Sequence, residues 1–382
     1  MATIYSDKAV RPPAPDPQAG LDPASPETIA ATEEKPGDEK PGFAIPGWLP
    51  WLGGRLLSGL ATTFVISVLV FAATQALPSD PARVILGPDA TEESIRTLQI
   101  QLGLDRPILE QYVNWAGRVV TGEFGTSLDS NLPAGQIVGD RFGNSAALML
   151  VVLVLAVPFA ILGGVLLAVN RDSRLDRWTM NGVILFKALP GFVLGIGLIL
   201  LLSTSVFQIL PAVSLLDPSR SPFLQPLYLA LPTLTLVLTV IPLLLRLVRS
   251  AMIETLEADY VVAARLRGIP ERRIIWRHAV PNALVPAIQG IALTSRMLLG
   301  GAIIVEVVFS YPGIGNALNA AIELRDVPVI QAITLTMAVG VVLINLIADV
   351  ATVFATPKLR TSAQPRLRPG TRANLRLKAG GV

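Results

Sequence analysis

Residues 144–169 read NSAALMLVVLVLAVPFAILGGVLLAV, a run without one charged side chain. A bilayer's hydrocarbon core is about 30 Å thick and takes about 20 apolar residues in a helix. The run is long enough to cross one, and it has no polar face to turn toward water. Five further stretches meet the same length, at roughly 56–77, 183–209, 226–247, 284–305 and 329–354. The composition of the whole chain agrees. Of its 382 residues 52% are hydrophobic and 15% charged, with a mean hydropathy of +0.57, whereas a soluble domain carries about 25% charged residues. The expected class is an all-α integral membrane protein with six transmembrane helices. Pro158, Pro190, Pro232, Pro242 and Pro286 fall within or beside these spans. In lipid the carbonyls they free need partners in neighbouring helices or a polar cavity, so kinks are expected.

Charge orients the bundle. The short loop 170–177 carries Arg171, Arg174 and Arg177, and the loop 246–283 carries Arg246, Arg249, Arg265, Arg267, Arg272, Arg273 and Arg277. The tail beyond residue 360 is basic as well, with Arg366, Arg368, Arg372, Arg376 and Lys378. The alternate loops are poor in positive charge: 211–225 has Arg220 and 310–328 has Arg325. The excess of Lys and Arg on cytoplasmic loops puts both termini in the cytoplasm. Residues 1–47 are rich in Pro and acidic side chains and cannot bury enough apolar surface to order themselves, so a disordered cytoplasmic tail is expected there. Trp48 and Trp51 suit the headgroup region. The membrane domain then covers 48–360, and 361–382 form a basic cytoplasmic tail.

The external loop 78–143 is long and patterned. Asp89 and Glu92 fit a capping box before Ile95, Leu98 and Leu102 on one helical face, and Gly103 is placed to stop that helix. A second amphipathic run carries Ile108, Leu109, Tyr112, Val113 and Ala116. Both helices are expected over the outer mouth of the bundle.

On the cytoplasmic side, residues 257–270 read EADYVVAARLRGIP. Small Ala263 and Ala264 permit close approach by another surface. Gly268 can take the left-handed conformation that ends a helix, and Pro270 suits the first turn of the next. Ile274, Ile275 and His278 share a face of that second helix. The expected shape is a short helix, a sharp turn and a second helix. It is either a docking element for a cytosolic protein or a basic loop that anchors topology.

Chemistry of other kinds finds little support. There is no Cys, which excludes disulfides, thiolate metal sites and thiol nucleophiles. His278 is the one histidine, and packing is its expected role. An intramembrane protease would need a Ser–His pair, a His/Glu metal site or paired Asp within the bundle, and none is apparent. No catalytic residue and no metal site is expected. The chain also lacks the Gly-x-x-x-x-Gly-Lys-Ser/Thr loop of nucleotide-binding ATPases. A secondary transporter, the other rival, often shows internal repeats, and none is seen.

The loop resembles the EAA loop of binding-protein-dependent ABC importer permeases, in the branch of first permeases for dipeptides, oligopeptides and nickel. Two Ala residues precede a Gly at a short fixed spacing, here Ala263, Ala264 and Gly268, followed by Val280-Pro281. Asp259-Tyr260-Val261, His278-Ala279 and Asn282-Ala283-Leu284 match that branch, while Val262 stands where the general pattern opens with Glu. Further similarities are Leu77-Pro78-Ser79-Asp80-Pro81-Ala82, Leu102-Gly103-Leu104-Asp105-Arg106-Pro107 and Gly122-Glu123-Phe124-Gly125-Thr126-Ser127. Others are the segment Val305 to Gly315, Arg325-Asp326 with Pro328-Val329, Asn345 with Asp349, and Pro357-Lys358-Leu359-Arg360.

The resemblance implies a type I ABC importer permease fold in the bacterial inner membrane, and a chain that is not itself an enzyme. It implies a second homologous permease, two cytosolic ATPases that bind ATP and magnesium, and an external substrate-binding protein. No nucleic acid is involved, and lipid surrounds the spans. The coupling helix would be 259–269, with Asp259, Tyr260, Ala263, Ala264, Gly268 and Ile269 shaping it and Arg265 and Arg267 supplying polar contacts. Peptide is the leading cargo, with nickel complexes, sugars or haem as alternatives. Charges near mid-span are costly. Glu306 and Asp349 are expected to be neutralised by partners, and Arg296 either lines the pathway or is neutralised.

Overall fold

The computed structural model describes residues 48–76, 81–87 and 90–355. The expected N-terminal and basic C-terminal tails, Leu77 to Asp80, Asp89 and Pro357 to Arg360 lie outside them. Among the described residues the chain is helical, with one isolated bridge between Thr126 and Pro133. The helices are α1 (Trp48–Gln75), α2 (Pro81–Leu86), α3 (Glu92–Leu102), α4 (Ile108–Val120), α5 (Ala134–Val169), α6 (Arg174–Ala188) and α7 (Gly191–Ile199). They continue as α8 (Pro226–Leu256), α9 (Asp259–Leu266), α10 (Glu271–Ile274), α11 (Val280–Val308), α12 (Ile314–Glu323) and α13 (Val327–Ala355).

Five of these segments are long and apolar enough to cross a membrane: Leu52–Gln75, Ala134–Val169, Pro226–Leu256, Glu271–Val308 and Val327–Thr352. The stretch expected as one span over 183–209 is instead a broken pair. α6 ends at Ala188, α7 begins at Gly191, and the two meet at 101°. Pro190 causes the break, since it offers no N–H and its ring forces the preceding Leu189 into extended backbone, φ −88° and ψ 129°. A π-turn, Leu200–Thr204, finishes α7, so 205–209 are not helical. Pro158, Pro232, Pro242 and Pro286 stay inside α5, α8 and α11.

α8 occupies the middle, packed between α5 and α11. Leu148, Val152 and Ala156 of α5 meet Leu231, Leu236 and Val240 of α8 and Leu298, Ala302 and Val305 of α11 in one core. Lipid gives helices no hydrophobic reason to associate, so close contact over small residues matters more. At Gly164 a Cβ would stand 2.7 Å from Val248 Cγ1 and 3.1 Å from the Arg249 backbone N. Gly164→Val should cost about 1–3 kcal/mol through overpacking, read as a lower unfolding temperature in detergent. The same change at Gly182, whose Cβ would meet nothing within 4 Å, should leave that temperature unchanged.

In the loop before α5, Thr91 rather than Asp89 caps α3, its hydroxyl accepting from Ser94 N at 3.3 Å. Gly103 closes the helix in left-handed backbone, φ 69°. α4 packs against α1 near its C-terminal end. Tyr112 meets Phe71 edge-on and Trp115 packs tilted against it, Leu335 of α13 joins them, and the Tyr112 hydroxyl pairs with Ser67 Oγ at 2.9 Å.

Candidate functional site

α9 is eight residues long and amphipathic in an unusual sense. Val261, Ala264 and Arg265, at i, i+3 and i+4, face the rest of the chain. Val261 is fully buried, and Ala264 half-buried. Asp259, Tyr260, Val262, Ala263, Leu266 and Arg267 face outward. Leu266 is 85% exposed and Tyr260 47%. Leu266 and Ala263 thus leave apolar surface uncovered on this face of α9.

The turn after α9 is set by Gly268, at φ +73° with open space around its Cβ position. Its N–H bonds to Arg265 O at 2.9 Å, and Ile269 N–H to Ala264 O at 3.2 Å, closing the helix. Arg265 holds the loop's own shape. It donates to both Glu271 carboxylate oxygens, at 2.6 and 3.2 Å, and to Leu256 O at 3.2 Å. The hydrogen bonds it donates to Glu271 raise the Arg265 pKa above its ordinary value. Of the two arginines assigned polar contacts with a partner, Arg267 is the one left facing outward without such a tie. Tyr260 Oη accepts from Asn282 Nδ2 at 3.1 Å, so two separate sequence signatures of the loop touch.

The expected second helix is not a separate element. α10 passes through a π-turn, Ile275–Ala279, directly into α11, giving one rod from Glu271 to Val308. At 1.5 Å per residue it is about 57 Å long, well over a bilayer's hydrocarbon thickness. The Arg265–Glu271 pair thus ties α9 to the first residue of the rod. His278 is half-buried within the π-turn, and its carbonyl accepts from Asn282.

Sequence reasoning missed the brace on the other flank. Asp176, 2% exposed, accepts two bonds from Arg249, from Nε at 2.7 Å and Nη2 at 2.6 Å. The same carboxylate accepts from Asp172 N at 3.1 Å, and Ser173 Oγ accepts from Asp176 N at 3.2 Å. This is a capping arrangement at the start of α6. Arg171 pairs with Glu257, the last residue before the α9 segment's N-cap Ala258. The turn after α5 and the first turn of α6 therefore hold the end of α8 at Arg249 and the residue that follows it, Glu257. The signal was present as Ser173-x-x-Asp176, but its partner lies 73 residues away.

The intramembrane charges separate cleanly. Glu306 is 1% exposed and accepts from Ser145 Oγ at 2.6 Å and from Gly315 N at 2.6 Å, while Ser145 Oγ accepts from Ile314 N at 2.8 Å. Tyr311 donates to Asn144 O at 2.7 Å and Asn144 Nδ2 to Pro312 O at 2.8 Å. Glu306 thus ties the far end of α11 and the turn into α12 to α5. Asp349 pairs with Arg55 Nε at 3.1 Å, joining α13 to α1. Ser127 donates to Asp326 Oδ2, so two more of the singled-out signatures lock together. Arg296 stands exposed on α11.

The described residues form a bundle of long apolar helices with a short braced helix, α9, at one end. The chain belongs to the family of binding-protein-dependent transport system inner membrane components. The family matches residues 160–361, and its N-terminal membrane component matches residues 49–161. The chain is 36% identical over 306 residues to the glutathione transport system permease protein GsiC of Shigella flexneri serotype 5b, covering 80% of this chain and 97% of that protein. It has the same identity and coverage with GsiC of Escherichia coli K12. This is an ABC importer permease, an inner-membrane transport subunit rather than an enzyme, and its family works with a substrate-binding protein and ATPase partners.

Proposed function

We propose that this chain forms half of the pathway of a peptide importer, pairing with a second homologous permease above two cytosolic ATPases. The observation that carries this reading is the outward face of α9, with Leu266 at 85% exposure on a helix fixed from beneath. The ATPases bind ATP and magnesium, grip that face, and move the rod that begins at Glu271. An external protein delivers cargo, and peptide is favoured by the relatives, whose named substrate, glutathione, is a tripeptide. In this reading the bent pair α6–α7 counts as the third of six spans, and both termini are cytoplasmic. The contacts Arg171–Glu257 and Arg249–Asp176 support that topology, since they put the two basic loops on one side.

Co-purification from mild detergent tests the proposal. ATP-hydrolysing subunits should accompany the chain, and Leu266→Ala should weaken their association about tenfold, the worth of one buried leucine. A chain that purifies alone and transports on an ion gradient would reject the reading.

A further inference from the structure

The exposed faces of the long helices are not alike. Along the uncharged run 144–169 of α5 the exposed residues include Val154, Leu155, Phe159 and Leu162, and along α13 they include Val339, Leu343 and Ile347. Those surfaces suit lipid. α11 presents Gln289, Leu293, Arg296, Met297 and Gly300 at i, i+4, i+7, i+8 and i+11, one face of a helix. Leu293 and Met297 are 42% and 52% exposed, and a Cβ at Gly300 would meet nothing within 4 Å.

Arg296 lies at the middle of the apolar stretch 284–305, where a charge facing lipid is disfavoured. Among the described residues no carboxylate reaches it. Glu306 and Asp349 are otherwise engaged, Glu306 with Ser145 and Gly315 and Asp349 with Arg55. α11 is also the helix braced to α9, so its open face must change surroundings as the rod moves. An exchangeable partner suits such a position better than one fixed acid.

We propose that this face of α11 lines the route of the cargo and that Arg296 there receives a carboxylate of a peptide-like ligand. The guanidinium offers two parallel N–H donors to a carboxylate, Gln289 extends the polar stripe by two turns, and Gly300 leaves bare backbone beside it. The inference rests on the permease reading above and names the chemistry its pathway selects.

The chain contains no Cys, so a single introduced thiol reports one position. Met297→Cys, with Arg296 intact, is placed in the assembled importer in liposomes and treated with a charged, membrane-impermeant methanethiosulfonate. Modification is read by the mass of this chain. The expected result is modification at Met297→Cys and none at Leu155→Cys. Trialanine should slow the reaction about tenfold, as the loss of a charge-assisted contact would predict, whereas trialanine amide should not. Adding Arg296→Gln should remove the protection, and Arg296→Lys should keep part of it. An unreactive Met297→Cys would overturn the proposal, as would equal protection by the amide or protection that survives Arg296→Gln. Failure of the permease reading would show separately, as loss of the co-purifying ATPases from the unmodified chain.

Discussion

Replacing Gly268 with valine is expected to abolish coupled uptake while the protein still inserts and folds. The Cβ would meet no other atom, so the obstacle is backbone conformation and not crowding. At φ +73° an L-residue costs roughly 1–2 kcal/mol, and a β-branched one is an outlier there. The cheapest relief is rotation of residue 268, which breaks the closing bonds to Arg265 O and Ala264 O. α9 then loses its fixed angle to α10, and the outward face carrying Leu266 no longer presents a single shape. ATPase association and uptake should fall together by at least about tenfold, since each 1.4 kcal/mol is a factor of ten. Gly268→Asn, which tolerates left-handed backbone, should retain most of both. Full uptake by the valine variant would refute the coupling role, and loss of the chain from the membrane would point to folding instead.

The second large effect concerns Asp176. Its side chain is 3% exposed and that of Arg249 is 19%, so neither charge is well served by water. Removing one member of a buried pair leaves the other uncompensated, typically at about 3–5 kcal/mol. Asp176→Ala should therefore lower the unfolding temperature sharply and open the loop 170–177 to protease. It should also loosen the end of α8 beside Glu257, reducing uptake by more than the loss of folded protein explains. Arg249→Lys should be intermediate, because an ammonium cannot make the two parallel bonds observed at 2.7 and 2.6 Å. Near-normal stability of Asp176→Ala would show that the pair is incidental.

What the sequence made legible follows from what hydropathy measures. Length and apolarity report on residence in lipid, so α5, α8 and the body of α11 were evident from composition alone. The same measure is blind to direction. Gly191 to Leu202 is as apolar as its surroundings, and only the geometry of Pro190 turns it through 101°. The cap of α3 was misplaced by two residues because Asp89 and Thr91 are both competent acceptors, and the bond to Ser94 decides between them. In the loop that holds α9, the turn at Gly268 could be read from spacing, whereas Ala264, expected to meet another surface together with Ala263, turns toward its own chain. The engagement of Arg265 with Glu271 could not be read, since a charge in a short polar loop looks the same whether it faces its own chain or a partner. Pairs such as Ser145 with Glu306 and Asp176 with Arg249 join residues 161 and 73 positions apart, and apolar periodicity carries no record of them.

The rod from Glu271 to Val308 has its weak points gathered at one end. The π-turn at Ile275–Ala279, Pro281 and Pro286 all interrupt or loosen its hydrogen-bond ladder within the first sixteen residues, and no proline follows in the rest of α11. The remainder, anchored at its far end by Glu306, behaves as a stiff beam on a compliant hinge. With the near end hinged and the far end tied to α5 through Ser145, bending of the rod falls on its first sixteen residues.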